Sequence, residues 1–320
     1  MLSRFKLMSP YFSVVIPLYN KAKDISNTIA SVLSQTFKDF EIIVVNDGST
    51  DNSLAVLEAI NDKRLQLYTT DNKGVSHARN FGVKKSSASL IAFLDADDIW
   101  KPQHLDHLKS LHETFPDCGM YCKAYNRIKG TTIITSVFKD LPKKKEWKGV
   151  IDDYFHYSTI NSLASSSSIA IPKSILDTIG YFNENYTSGE DTDLWIRIAL
   201  QYPTAFDNTI SVTHNLNAEE KLTNTTLKSR KLFDLNNFLD EEKQHPTLKK
   251  YLDLNRYALA FQYKLEQEEQ LSKALYNNID LRHLSKTQQW VYKSPKFISI
   301  LLLKFRDLLR RLHVDLRLFS

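Results

Sequence analysis

The chain is poor in cysteine and glycine and has no long apolar run, and each shortage excludes a class of protein. Cys118 and Cys122 are the only cysteines among 320 residues. One close pair makes no disulfide framework, and there is no second pair to complete a zinc site. Both are expected to pack as reduced thiols of a cytoplasmic protein. The eight glycines form no Gly-x-Gly-x-x-Gly, which argues against a dinucleotide cradle. No run of eighteen apolar residues occurs, so no membrane-spanning helix is expected. Met1 to Asn20 is broken by Pro10 and Pro17 and lacks the apolar core of a signal peptide. An excess of one charge is also missing from most of the chain. The net charge is +5, and residues 293–320 hold seven Lys/Arg against two Asp, so the whole excess sits there. Nothing suggests a general nucleic-acid surface.

Against these absences, one stretch stands out. Ile91-Ala92-Phe93-Leu94 is apolar and ends in Asp95, Asp97 and Asp98. The run predicts a buried strand in a parallel sheet. Its C-terminal end is where open α/β sheets bind ligands. Clustered carboxylates repel one another unless a cation joins them, and Mg²⁺ or Mn²⁺ suits carboxylate oxygens shared with phosphates. The plainer alternative is an acidic loop with Asp98 capping the helix that follows.

The stretch belongs to a strand–helix alternation. Phe12 to Ile16 predicts a strand stopped by Pro17. Ile25 to Thr36 predicts a helix capped by Asp24. Glu41 to Val45 is a second buried strand, running into the turn cluster Asn46 to Asp51. Val75 to Lys85 is a helix preceded by Gly74. Together these predict a doubly wound α/β layer with a ligand crevice along one sheet edge. A helix over 102–115 carries His104, His107 and His112, expected on its surface. Ser-rich 161–168 leads into a strand at 169–172, and Gly180 ends the next helix.

A second acidic constellation follows. Glu190, Asp191 and Asp193 open an amphipathic helix through Leu194, Trp195 and Ile198. The helix dipole favours acids there, and it also keeps a carboxylate ionised, as a general base requires. Arg197 sits four residues after Asp193, at pairing distance. His214 follows the last predicted strand. Beyond Glu219 the chain turns polar and helical. Its final segment carries an apolar stripe at Phe297, Leu301, Phe305, Leu308, Leu312, Leu316 and Phe319, with a basic polar face. Such a helix can lie on an anionic membrane or pack against protein.

Several of these blocks resemble, in order and spacing, a family 2 glycosyltransferase of the GT-A fold. They are Val14 to Asn20, Ile43 to Asp51, Asn72-Lys73-Gly74 with Ala78-Arg79-Asn80, Phe93 to Asp98, and Gly189-Glu190-Asp191 with Leu194-Trp195 and Arg197. The resemblance spans residues 12–215. It implies a Rossmann-like mixed sheet, a nucleotide-sugar donor, a divalent metal (Mn²⁺ or Mg²⁺) and inversion at the anomeric carbon. It places Pro17, Tyr19, Asp47, Arg79 and Asp95 around the nucleotide sugar, with Asp47 towards the base and Asp95 towards the ribose. It gives Asp97 to the metal, with His214 as a further ligand or phosphate contact, and Asp191 to the general base. The Gln-x-x-Arg-Trp motif of processive synthases is absent, so transfer of one sugar is expected. The expected organisation is a GT-A catalytic domain over 9–220, a helical extension over 221–292 and a basic amphipathic helix over 293–320. The expected role is building a cell-surface glycan on a glycan or lipid-linked acceptor, at the inner face of the cell membrane. A catalytically silent scaffold on the same fold, or a nucleotidyltransferase, are the competing readings.

Overall fold

A computed structural model describes residues 9–218 and 226–311, with side chains given to Phe305 in the last helix. The first half runs β1 (Phe12–Leu18), α1 (Ile25–Leu33), β2 (Phe40–Asp47), α2 (Ser53–Glu58), β3 (Leu65–Thr70), α3 (Val75–Lys85), β4 (Leu90–Phe93), β5 (Ile99–Trp100) and α4 (His104–Thr114). Then come β6 (Met120–Lys129), β7 (Thr132–Thr135), β8 (Lys148–Ile151), α5 (Tyr154–Tyr157), β9 (Ile169–Pro172), α6 (Lys173–Ile179), α7 (Glu190–Ala199) and β10 (Thr204–Asn215). The helical extension holds α8 (Glu241–Gln244), α9 (Pro246–Leu265), α10 (Glu269–Asn277), α11 (Lys286–Lys293) and α12 (Lys296–Arg311).

The sheet order is β3-β2-β1-β4-β9-β6-β10-β5, with β7 on β6 and β8 on β10. Strands β3, β2, β1 and β4 are parallel, but β9 lies antiparallel between β4 and β6. The sheet is therefore mixed. The chain leaves β1 towards β2 and β3, then returns to place β4 on the other side of β1. This reversal opens a crevice beyond the carboxyl ends of β1, β2 and β4, as strand geometry dictates.

Both sheet faces are covered, which is why β1 is apolar throughout. Val14, Ile16 and Leu18 pack with α1 and α4 on one face, while Val15 joins the core on the other. That is the two-residue period of a strand. Pro17 does not end β1 as expected, because Leu18 still pairs with Asn46. Val15 accepts a hydrogen bond from the Leu94 amide, so alternate residues of β1 face β4. Pro17 faces the same way, past the last paired residue of β4, and its missing donor forfeits nothing.

Other local expectations need correcting. Asp24 does not cap α1 with its side chain; it accepts from Asn215 Nδ2 instead. His104 is fully buried and bonded to Ser211, while His107 meets Lys123 and His112 meets Tyr11. The three histidines face the sheet and the chain start, because α4 packs on β10 and β6. Strand β8 was not foreseen, since exposed Lys148 and Val150 on a sheet margin carry no apolar run. Cys118 and Cys122 are buried and unbridged, and burial pushes both thiols up in pKa.

The helical extension shares its core with the sheet layer. Phe233, Leu235, Phe238, Leu248 and Leu252 pack in one cluster with Phe155 and Trp195. Among the described residues no helix is long and apolar enough to cross a membrane.

Helix α3 lies close to β1 because Gly82 has no side chain there. A Cβ at Gly82 would stand 2.4 Å from Val15 Cγ1. Alanine would gain about 1 kcal/mol of helix propensity, but so short a contact with a stiff, buried valine puts the overpacking cost in the upper part of its range, about 2–3 kcal/mol. Gly82→Ala should therefore lower stability by about 1–2 kcal/mol, measured from the urea midpoint. An unchanged or higher midpoint would show that α3 can lift off β1.

Candidate active site

At the carboxyl ends of β1, β2 and β4 lies a cavity of about 740 Å³, within the range of small-molecule sites. Pro17, Tyr19, Asp47, Arg79, Asp95, Asp97, Asp191 and His214 all line it. Every site residue expected from the sequence is thus gathered around one space.

Asp47 ends β2 and fastens the opposite rim. Its carboxylate accepts from the amides of Lys73 (3.0 Å) and Gly74 (2.7 Å) and from Thr70 Oγ1 (3.1 Å). These bonds hold the loop that starts α3, and the carboxylate keeps spare lone pairs. Tyr19 stands half-open at the mouth, 42 % exposed.

Arg79, one turn before Gly82 on α3, is the buried cation of the site. Its Nη2 lies 2.7 Å from Asp95 Oδ1 and its Nη1 2.9 Å from Glu190 Oε1. The guanidinium also sits over the Phe182 ring. Burial opposes its charge, but Asp95 and Glu190 outweigh that and raise its pKa. Arg79 thereby joins α3, the end of β4 and the start of α7.

The first turn of α7 allots its three carboxylates to three tasks, because successive helical residues point about 100° apart. Glu190 turns inward to Arg79. Its burial, then the charge of Asp191, push its pKa up against the pull of Arg79. Asp193 pairs with Arg197, as the spacing predicted, and Arg197 also binds the carbonyls of Ile179, Gly180 and Tyr181. Asp191 turns to the cavity, where it accepts from the amide (2.6 Å) and hydroxyl of neighbouring Thr192. Of the three, it alone lines the cavity without an ion pair among the described residues. Gly189 caps α7 in the left-handed region at φ 82°, and a Cβ there would lie 2.9 Å from Phe233. Both constraints demand glycine.

The acidic cluster after β4 divides in the same way. Asp95 faces Arg79. Asp97 lies 3.2 Å from Lys21 Nζ. Asp98 does not cap α4; it is buried and bonded to His214 Nδ1 (2.5 Å), Ser167 Oγ (2.6 Å) and the Asn215 amide (3.0 Å). Burial would raise the pKa of Asp98, but the His214 charge and these bonds lower it. His214 responds in kind: burial presses its pKa down, and Asp98 outweighs this and raises it. The other ring nitrogen, Nε2, meets Ser165 Oγ at 3.0 Å.

The donor set fits a hard divalent cation. Asp97 already attracts a positive charge, and an imidazole nitrogen of His214 borders the same cavity. The carboxylate suits Mn²⁺ or Mg²⁺ when phosphates supply further oxygens, and an added imidazole nitrogen favours Mn²⁺, the less oxygen-bound of the two. Among the described residues no three side chains gather as a self-sufficient metal site. Lys21 and the serines at 165 and 167 were not singled out from sequence, and Glu190 and Asp98 were noted only as members of acidic clusters, with no role in the site. Glu190 and Asp98 had the composition signal, but their partners lie 111 and 116 residues away.

Comparison with known proteins follows the same outline. The sequence model for Glycosyl transferase family 2 matches residues 13–169. An uncharacterized glycosyltransferase of Rickettsia prowazekii is 30 % identical over 223 residues, covering 69 % of this chain and 68 % of that protein. The Escherichia coli UDP-Glc:alpha-D-GlcNAc-diphosphoundecaprenol beta-1,3-glucosyltransferase WfaP is 32 % identical over 189 residues, 58 % of this chain and 69 % of that one. WfgD of Escherichia coli, with the same described activity, is 29 % identical and covers 79 % of this chain and 96 % of its own. Among solved structures, S. aureus TarS 1–349 with UDP-GlcNAc superposes with a TM-score of 0.58 at 20 % identity, covering 89 % of this chain and 76 % of that one. This last likeness concerns the fold, and the fold is GT-A.

Removing the buried cation should be costly. Arg79→Met would leave Glu190 and Asp95 facing each other without a counter-charge. We expect a loss of about 3 kcal/mol, the lower end for a broken buried pair because Asp95 is partly wetted. Urea denaturation checks this; a loss below about 1 kcal/mol would mean that water replaces the guanidinium.

Proposed function

This chain belongs to glycosyl transferase family 2, and we propose that it transfers one sugar, with inversion, from a nucleoside-diphosphate sugar to a lipid-linked glycan acceptor. The observation that carries this reading is the division of labour around the cavity. One wall presents Asp95, Asp97 and the Asp47 loop, suited to a nucleotide and its diphosphate. The facing helix presents Asp191 without an ion-pair partner among the described residues. Pro17 and Tyr19 would border the base, Asp47 its polar edge, and Arg79 would hold Asp95 towards the ribose. Support for the substrate classes comes from the relatives: UDP-Glc and a diphosphoundecaprenol-linked acceptor for WfaP and WfgD.

In the proposed reaction Asp191 accepts the proton of the acceptor hydroxyl. That oxygen bonds to the anomeric carbon while the bond to the nucleoside diphosphate breaks on the opposite face, so configuration inverts. Asp97 and His214 would hold Mn²⁺ or Mg²⁺, which when bound supplies positive charge for the departing diphosphate. Glu190 and Asp193 keep the helix of Asp191 fixed through Arg79 and Arg197.

The class test is calorimetric titration of UDP-, GDP- and dTDP-sugars with and without Mn²⁺. One donor should bind, and its metal-dependent binding should vanish in Asp97→Ala. Absence of binding by every donor would count against a donor-using enzyme. Asp191→Asn should bind that donor nearly as wild type yet lose transfer by roughly 10²–10⁴-fold; full turnover would assign the base elsewhere.

The same reading places the protein at the inner face of the cell membrane, docked through α12 on anionic lipid. Phe297, Leu301 and Phe305 share one face of this helix and are 70 %, 65 % and 48 % exposed. Its other face rests on α9 and α11. Lys304 is exposed next to Phe305, Lys293 is exposed at the end of α11 just before this helix, and the whole net charge lies in residues 293–320. Of the stripe, Leu312, Leu316 and Phe319 lie outside the described residues. An apolar row flanked by lysines matches an anionic interface. Joint replacement of Phe297, Leu301 and Phe305 by Gln should abolish flotation with phosphatidylglycerol vesicles. Undiminished flotation would give that face another occupant.

A further inference from the structure

The buried carboxylate Asp98 has no place in the transfer step, yet it is among the most heavily bonded groups of the cleft. It immediately precedes β5, whose antiparallel register with β10 pairs Ile99 with Thr213 and Trp100 with Val212. Continued one step, that register sets Asp98 opposite His214. One carboxylate oxygen, Oδ1, accepts from the fixed amide of Asn215. The other, Oδ2, accepts from His214 Nδ1 and from Ser167 Oγ, and Ser167 in turn accepts from the Asp95 amide. Tyr125 packs edge-on against the imidazole with ring centres 4.8 Å apart. Nδ1 is thus committed to a buried carboxylate, and Nε2 borders the cavity beside Ser165.

We propose that Asp98 is a positioning residue: whenever the His214 imidazole is neutral, Asp98 keeps its one proton on Nδ1, leaving the Nε2 lone pair turned to the cavity as a ligand for a divalent cation. The inference rests on the metal-dependent reading above. It follows from hydrogen-bond direction. A carboxylate only accepts, so the nitrogen facing it carries the hydrogen. The remaining nitrogen then has the lone pair that metal binding requires. The Ser165 hydroxyl donates to that lone pair when no cation is bound, and it can rotate away. Free imidazoles have no such fixed assignment, so the site spares the ring a tautomer change before it binds metal.

The substitution that separates this from simple packing is Asp98→Asn, which keeps the shape. The Asn215 amide is a fixed donor, so the introduced amide must turn its oxygen there. Its NH₂ then points at His214 Nδ1 and Ser167. The Ser167 hydroxyl can rotate to accept, but the imidazole must move its proton to Nε2. The expected result is a swapped tautomer, read by long-range ¹H–¹⁵N correlation at alkaline pH, with the His214 signal identified by its loss in His214→Gln. Mn²⁺ affinity in the presence of UDP, read by the free-Mn²⁺ EPR signal, should fall roughly 10–100-fold, while metal-free UDP binding stays within about twofold of wild type.

A wild-type His214 that carries its proton on Nε2 overturns the proposal without any variant. So does an Asp98→Asn protein with wild-type Mn²⁺ affinity, and in that case the metal-dependent reading survives. Wild-type protein that binds no Mn²⁺ with any of the UDP, GDP or dTDP nucleotides overturns the metal-dependent reading, and this inference with it.

Discussion

One buried cation holds the cleft together. Arg79 is 4 % exposed and bonds to Asp95 after β4 and to Glu190 at the start of α7. Two carboxylates that would repel each other become two arms of a clamp. Its cost is desolvation, which such a triad recovers only with good geometry and full hydrogen bonding. The yield is positional: three segments far apart in sequence meet at fixed angles, and the cavity is the space between them. Asp47, Asp97 and Asp191 line the same space without sharing in the clamp.

The fold was legible where chemistry is local. Apolar runs in β1, β2 and β4 and the helical spacing of α3 and α7 announced themselves, since alternation and period follow from backbone geometry. The mixed sheet came from family likeness rather than from pattern. The antiparallel insertion of β9 leaves no mark on a four-residue strand that is buried either way. The failures share a cause. Asp24 stands at the cap position of α1, and local rules assigned Asp98 to the following helix, although β5 intervenes before its cap at Gln103. Tertiary partners took both: Asn215 for Asp24, and His214 with Asn215 for Asp98. Burial of His104 was hidden for a similar reason, because a helix pattern does not say which face the sheet will cover.

The site itself was legible as a set of residues but not as a circuit. All eight expected positions border one cavity. What the sequence withheld was the pairing among them. Lys21 on Asp97, Glu190 on Arg79 and Asp98 on His214 are long-range contacts between charged groups that any surface would tolerate singly. Spacing identifies i,i+4 pairs such as Asp193 with Arg197, because the helix itself brings them together. It is silent on pairs that only the sheet register creates.

The loop before α7 has one more consequence, concerning the order in which the protein is made. Thr187 and Ser188 exchange backbone hydrogen bonds with the segment around Lys231 to Phe233, and Phe233 packs against Gly189. The loop that leads into Asp191 is therefore half of a single parallel bridge whose other half belongs to the helical extension. Translation delivers residues at about 5–20 per second, amino end first. A nascent chain that has emerged as far as β10 already holds every cavity-lining residue, yet the loop before Asp191 still lacks its partner segment. Full assembly of this wall of the cavity waits for the extension to emerge, so the last part of the chain to be made times the moment at which the cleft is completed.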